Sequence, residues 1–374
     1  MLSDSADCYG CLFAFNCKNC NDCAFISDCV GCSECILCTN LVRRSYCIGN
    51  REYPREEYFQ RKQALLSGSC QTERENIAEF EALLRKRVVK YAHIVNSENC
   101  SGDYILNSKN CDLSFDVAES EDLANIIFGD KSKDCYNCSM LGEDSKFCYN
   151  FVSGFGSSNV RSSFFVIYSS NVDYSDLCID SRDLFGCVGL RRKQYCILNR
   201  QYPEIEYTAL RERIIAHMKS TGEWGRFFPK ELSAFCFNES TALRYFPLEK
   251  GEAVRRGYEW KDHENADSEQ PSIELPDRIQ DVGDDIVRRS ITCKRCAKKF
   301  RVLLQELRFY QRLTIPVPRH CPDCRHVYRL GLRNPAQLWD RTCARCSSAI
   351  RTSYAPGRPE TVYCERCYHD TVFA

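Results

Sequence analysis

Four Cys-x-x-Cys pairs stand near the end of this 374-residue chain: Cys293/Cys296, Cys321/Cys324, Cys343/Cys346 and Cys364/Cys367. The gaps between successive pairs are 24, 18 and 17 residues. A Cys-x-x-Cys turn presents two thiolates at the separation a tetrahedral ion needs, and two such turns complete a four-sulfur site. The eight cysteines therefore predict two zinc ions. Sequential pairing would join 293/296 with 321/324 and 343/346 with 364/367. The second of these matches the usual zinc-ribbon spacing, and the first is slightly long. A cross-braced pairing, 293/296 with 343/346, stays open on spacing alone. His320 and His326 flank one pair, but four Cys already fill a site, so both read as packing or partner contacts.

The sequence around the pairs is basic. From Arg288 to Ala374 there are 18 Lys/Arg against 6 Asp/Glu, a net of +12; the formal charge of the whole chain is +0, so the rest carries −12. A basic tail on an acidic body suggests a polyanionic partner. The alternative is a tail docked on its own body. Arg295, Lys298, Lys299, Arg301, Arg308 and Arg312 crowd around Phe309 and Tyr310. Arginine beside aromatic rings suits phosphate contact with base stacking. These six are the candidate contacts for RNA or DNA, and protein partners are expected as well.

Across residues 293–325 the chain resembles a family of zinc-ribbon domains. The residues that carry the likeness are Cys293-Lys294-Arg295-Cys296, Phe300, Gln305-Glu306, Phe309-Tyr310, Pro318-Arg319 and Cys321-Pro322-Asp323-Cys324-Arg325. The resemblance implies zinc but no activity. The whole layout resembles uncharacterised cytosolic proteins of minimal bacteria, in which a Ser/Cys-rich β-solenoid precedes zinc ribbons. Chains of that look are sometimes labelled carnitine-type CoA-transferases. Neither βαβ alternation nor a nucleotide-type glycine loop supports that label here. A short-coil solenoid also resembles hexapeptide-repeat acyltransferases, in class only. Those need a catalytic His on the coils, and no His lies between His93 and His217. No Ser/His/Asp set or paired carboxylates stand out, so no catalytic residue is assigned.

The elements that must carry these sites are organised around a duplication. Ser45-Tyr46-Cys47-Ile48-Gly49-Asn50-Arg51-Glu52-Tyr53-Pro54 returns 149 residues later as Gln194-Tyr195-Cys196-Ile197-Leu198-Asn199-Arg200-Gln201-Tyr202-Pro203. Ten Cys between Cys8 and Cys47 are separated by multiples of three. Neither a helix nor strand pairing demands that spacing, whereas a β-solenoid does. The coil length is open in residues 96–184. Ser97-Glu98-Asn99-Cys100 recurs from Ser108, Ser120, Ser132, Ser145, Ser157, Ser169 and Ser181, in steps of 11, 12, 12, 13, 12, 12 and 12. Ser and Asn/Asp turn the chain, and the next Cys, Val or Leu points inward. Eight coils at about 4.8 Å each predict a rod on the order of 40 Å long. Cys17-Lys18-Asn19-Cys20-Asn21-Asp22-Cys23 could hold a metal or an iron–sulfur cluster. The duplication favours packing, because Cys11, Cys23 and Cys35 correspond to Val160, Val172 and Leu184.

Pro54 and Pro203 open helical stretches read as caps on the solenoid ends. A second helix follows the first copy. It starts at a capping box, Thr72-Glu73-Arg74-Glu75, and has a stripe of Ile77, Phe80, Leu84, Val88 and Tyr91.

The expected fold is thus mainly β: a duplicated short-coil β-solenoid with helical caps, plus C-terminal zinc ribbons. The units are a solenoid module over 1–53, a helical cap over 54–93, a second module over 94–202, and a cap with an aromatic-rich subdomain over 203–260. A flexible acidic linker over 261–287 and tandem zinc ribbons over 288–374 follow. The first module has about four coils, half of the second, so a longer N-terminus is expected in the parent protein. The opening residues lack a signal-peptide pattern and no apolar run reaches a membrane span. A reducing cytoplasm and no membrane contact are therefore expected. The functional expectation is a zinc-binding adaptor touching nucleic acid or the ribosome. A protein-binding scaffold and an enzyme of unrecognised type are the alternatives.

Overall fold

The computed structural model describes residues 2–240, 242–246, 248–262 and 273–373. It is mainly β with parallel sheets: one of six strands within Leu2–Glu52 and one of 13 within Ile94–Gln201. In the smaller stack Leu12, Ala24, Ile36 and Ile48 follow one another across neighbouring strands, each 12 residues on. The larger stack keeps the same offset through Val160, Val172, Leu184 and Cys196. It steps by 11 at Ile94↔Ile105 and by 13 at Tyr136↔Tyr149. These offsets match the Ser-to-Ser steps of the sequence.

The repeated residues explain the pairing. Asn99, Asn110, Asp122, Asp134, Asn159, Asn171 and Asp183 all sit at φ between 53° and 56°, a left-handed turn that Asn and Asp tolerate best after Gly. Their side chains bond from turn to turn: Asn99 Nδ2 donates to Asn110 Oδ1 (3.0 Å), and Asn110 Nδ2 to Asp122 Oδ1 (2.9 Å). The serines act both within and between turns. Ser120 Oγ donates to Ala118 O at 2.7 Å and accepts the amide of Ser132 at 3.0 Å. The residue that follows each Asn or Asp from Cys111 onward is buried, as with Cys111, Leu123, Cys135, Val160, Val172 and Leu184.

Sulfur fills the smaller stack. Cys17, Cys20, Cys23, Cys29, Cys32, Cys35 and Cys38 are at most 2 % exposed. Their S–H groups donate to carbonyls two residues back, as Cys23 does to Asn21 O at 3.2 Å. Cys23, Cys35, Val172 and Leu184 are all buried in corresponding places. A thiol there is a small apolar filler.

Both stacks finish alike. The chain folds back antiparallel, Cys47 against Glu52 and Cys196 against Gln201, which covers the last parallel edge. The helices are α1 (Arg55–Leu65), α2 (Cys70–Lys86), α3 (Glu204–Ser220), α4 (Ala242–Tyr245), α5 (Lys250–Arg255), α6 (Leu304–Leu313), α7 (Pro322–Gly331) and α8 (Glu365–Val372). Tyr58 in α1 and Tyr207 in α3, 149 residues apart, are buried in matching positions. In α3, Tyr207, Leu210, Ile214 and Met218 pack together with Phe185 and Ile197.

Three expectations change. Helix α2 starts before the expected capping box: Ser69 is its N-cap and accepts from Thr72 N, while Asp277 holds Ser69 Oγ and Gln71 N. Its apolar stripe ends at Leu84, and Val88–Lys90 becomes a strand parallel to Thr361–Tyr363, because the C-terminal unit offers it an edge. With Phe80 and Ile77 on Phe25 and Ile36, α2 covers the flank of the small stack rather than its end.

The acidic linker differs as well. Residues 263–272 lie outside the described residues, but 273–287 are packed structure. Leu275, Ile279, Val282 and Ile286 share a core with Ile291, Leu307 and Val317. Acidic composition masked an apolar residue every three to four positions, all on the buried side.

Candidate metal centres

Each half of the C-terminal region is built on a short hairpin. Ile291–Thr292 pairs with Lys299–Phe300, and Trp339–Thr342 pairs with Ala349–Thr352. The tight turn of each hairpin carries the first cysteine pair, with Ala297 and Ser347 in the left-handed region (φ 60° at both). The second pair sits at a helix start, Cys321/Cys324 on α7 and Cys364/Cys367 on α8.

Two clusters result: Cys293, Cys296, Cys321 and Cys324, then Cys343, Cys346, Cys364 and Cys367. Within each, the four sulfurs lie within 4.8 Å of one another. The pairing is sequential, and the cross-braced alternative is not adopted. Backbone amides point at the sulfurs, Cys321 N at Cys293 Sγ (3.3 Å) and Cys364 N at Cys343 Sγ (3.2 Å). Burial pushes the Cys293 and Cys343 thiols up, but these amides and those of the neighbouring turn outweigh it and bring both down to about 6. A thiol that ionises near neutral pH, amid three more sulfurs, fits a soft divalent ion. The residues present therefore fit two metal ions.

The basic tail is docked on the body. Arg333 meets Asp116 at 2.5 Å and Asp4 at 3.6 Å, and Lys90 meets Glu365 at 2.9 Å. Arg87 forms an ion pair with Asp28 at 3.2 Å in a cavity that Tyr354 also lines. Of the six candidate nucleic-acid residues, Lys298 is paired with Asp323 (2.9 Å) and Arg308 with Asp284 (2.6 Å). Arg312 lies over Phe309, 5.7 Å from the ring centre. Arg295 lines, together with Arg74 of α2, a cleft of about 760 Å³ that Phe309, Tyr310 and Tyr328 also line. Sequence reasoning missed Arg74, since no local signal joins residues 221 positions apart. In this cleft Glu73 is raised by burial to about 7. Desolvation, then Arg295, Arg74 and Lys294, hold His320 below its ordinary value.

A second set was also illegible. His93 Nδ1 lies 2.9 Å from Asp103 Oδ1, and Ser353 Oγ donates to Asp103 Oδ2. Nucleophilic catalysis needs the histidine between serine and carboxylate. Here the carboxylate is central and the group is buried, so it clamps the C-terminal unit to the large stack. Burial opposes a charged His93, but Asp103 outweighs it and raises the imidazole above its ordinary 6.5. Asp103, despite burial, is held below its ordinary 3.8 by His93 and Ser353.

The sign follows for each partner. The His93 contribution is complete below pH 6.5 and is lost as pH rises through the higher folded value; that of Asp103 is present above 3.8 and is lost as pH falls through the lower one. The pair therefore stabilises most between these limits. In urea unfolding of wild type and His93→Gln from pH 5.5 to 9, the wild-type advantage should shrink as pH rises. A constant difference would show that His93 carries no charge in the fold.

Beside residues 230–259 lies a cleft of about 790 Å³ with Phe235, Phe237, Phe246, Tyr258 and Trp339 in its wall. None of its described lining residues is His or Cys. Among the described residues no helix is long and apolar enough to cross a membrane.

No protein-family model matches the chain, and no curated protein matches it. Weakly similar solved structures include the following two. A Bacillus cereus protein assigned as an acetyltransferase is 11 % identical over 37 % of this chain and 91 % of its own, with a TM-score of 0.12. A UDP-N-acetylglucosamine acyltransferase from Campylobacter jejuni is 10 % identical over 62 % of this chain and 83 % of its own, with a TM-score of 0.09.

Proposed function

We propose that the protein is a cytoplasmic, non-catalytic adaptor that binds two zinc ions and contacts single-stranded RNA or DNA, free or on the ribosome, through its C-terminal unit. In this reading the parallel stacks are two short-coil β-solenoids, the C-terminal clusters are tandem zinc ribbons, and the chain is akin to the solenoid–ribbon proteins of minimal bacteria. The observation that carries it is the pair of four-sulfur clusters, each closed on sequential Cys-x-x-Cys turns within a segment of net charge +12. Four sulfurs select zinc over harder divalent ions. Arg295 and Phe309 share the lining of one cleft, which suits phosphate contact beside a stacked base.

A second reading is a protein-binding scaffold. It is favoured by the salt bridges that turn Arg333, Lys298 and Arg308 toward acids of the chain itself. Titrating the full chain against a labelled single strand at two salt concentrations separates the readings. Four or five phosphate contacts predict a log–log salt slope of roughly −3. Salt-independent binding, or none at low salt, favours the scaffold.

A further inference from the structure

The cleft between α2 and the first metal unit brings together chemistry that neither segment holds alone. Its floor includes Phe13 and Ile77 from the body and Val317 from the unit, and Phe309 and Tyr328 form part of its wall. Phe309 and Tyr328 stay 46 % and 37 % exposed, so each presents ring surface.

Five arginines line the cleft. Two have structural partners: Arg319 donates to Leu275 O and Pro276 O, and Arg325 to Tyr310 Oη and Glu306. The other three, Arg74, Arg295 and Arg329, make no ion pair among the described residues. The acids present are Glu73 and Glu81, and Glu81 already accepts the Tyr328 hydroxyl at 3.0 Å. A cavity of this size holds a small organic molecule. Its unspent positive charge beside exposed aromatic faces calls for an anion joined to a flat ring.

We propose that this cleft binds a nucleoside phosphate, with the phosphate held by Arg74 and Arg295 and the base against Phe309 and Tyr328. The ligand can arrive as a free nucleotide or as one unit of a single strand. The second source rests on the adaptor reading above; the first does not. The site spans the body and the tail, so it exists only while the metal unit is folded and docked on α2.

The test uses the full-length, metal-loaded chain with three small probes, AMP, adenosine and inorganic phosphate, and a labelled oligoadenylate decamer. AMP should bind about tenfold more tightly than adenosine or phosphate alone, because ring and charge are both recognised. Arg74→Ala/Arg295→Ala should weaken AMP at least tenfold while metal content stays at that of wild type; both side chains are exposed, so folding is preserved. Phe309→Ala should bring AMP down toward phosphate, and Lys250→Ala, outside the cleft, should leave AMP unchanged. AMP binding that survives the double arginine change, or no AMP binding at all, overturns the proposal. A decamer that binds without AMP competition and ignores the double change, while AMP is lost in the double variant, would keep the cleft with a free nucleotide as its ligand and place the strand contact of the adaptor elsewhere. AMP binding lost in the double variant, with no decamer binding, would keep the cleft with a free nucleotide as its ligand and sink the adaptor.

Discussion

Cys343→Ser is expected to remove one of the two metal ions and to unfold residues 339–373, leaving both parallel stacks in place. Cys343 is 1 % exposed and shares a core with Val89, Ile350, Tyr354 and Val362. That core is small, and the hairpin over it has two short strands. Metal binding at such a site contributes ~10–16 kcal/mol of apparent folding free energy. A whole domain nets only ~5–15 kcal/mol, so no local contact offsets the loss. Unfolding there also takes away the partner of Val88–Lys90. Amide hydrogen exchange should show lost protection over 339–373 and 88–91, with 102–197 still protected. Protection retained over 339–373 would mean that packing, not metal, holds this unit.

Gly102→Ala should cost about 3–5 kcal/mol, a size reserved for backbone clashes and strain. Gly102 has φ +141°, and a Cβ built there would lie 1.7 Å from Ser114 O on the neighbouring strand. Nothing flexible can yield, because the atom met is backbone. The next residue is Asp103, so the shift would also disturb the clamp to His93 and Ser353. Gly49 is the control: its φ is +60° and a Cβ would meet nothing within 4 Å, so Gly49→Ala should cost only ~1 kcal/mol. Urea midpoints of the two variants compare them directly, and equal midpoints would contradict the account of residue 102.

The 12-residue period was legible because its cause is local. Asn or Asp marks one left-handed turn in most coils of the larger stack, so the spacing of those turns is written in the chain, whereas the left-handed turns at residues such as Phe128, Phe147 and Leu177 carry no such mark. The eight cysteines were legible for the same reason, since two ligands three residues apart share one turn. Their pairing was not, because it depends on which hairpin packs against which helix. Residues such as Val88 and Tyr91 misled the reading of α2, as an apolar stripe does not say whether its last members face a stack or a strand 273 residues away. The linker failed on composition: nine acids between 261 and 287 outweighed Leu275, Ile279, Val282 and Ile286, yet these four apolar residues build a core, and Asp277 and Asp284 bond to Ser69 and Arg308. Arg74 and Asp103 gain their meaning only from distant partners, which no window of sequence contains.

Two separate four-thiolate centres are expected to hold the C-terminal unit together. Metal analysis of the purified full-length chain tests it most directly, before and after treatment with a strong chelator. The expected result is two zinc ions per chain, with loss of exchange protection over the C-terminal unit as they leave. Zero or one zinc per chain, or a full complement of iron, would contradict it.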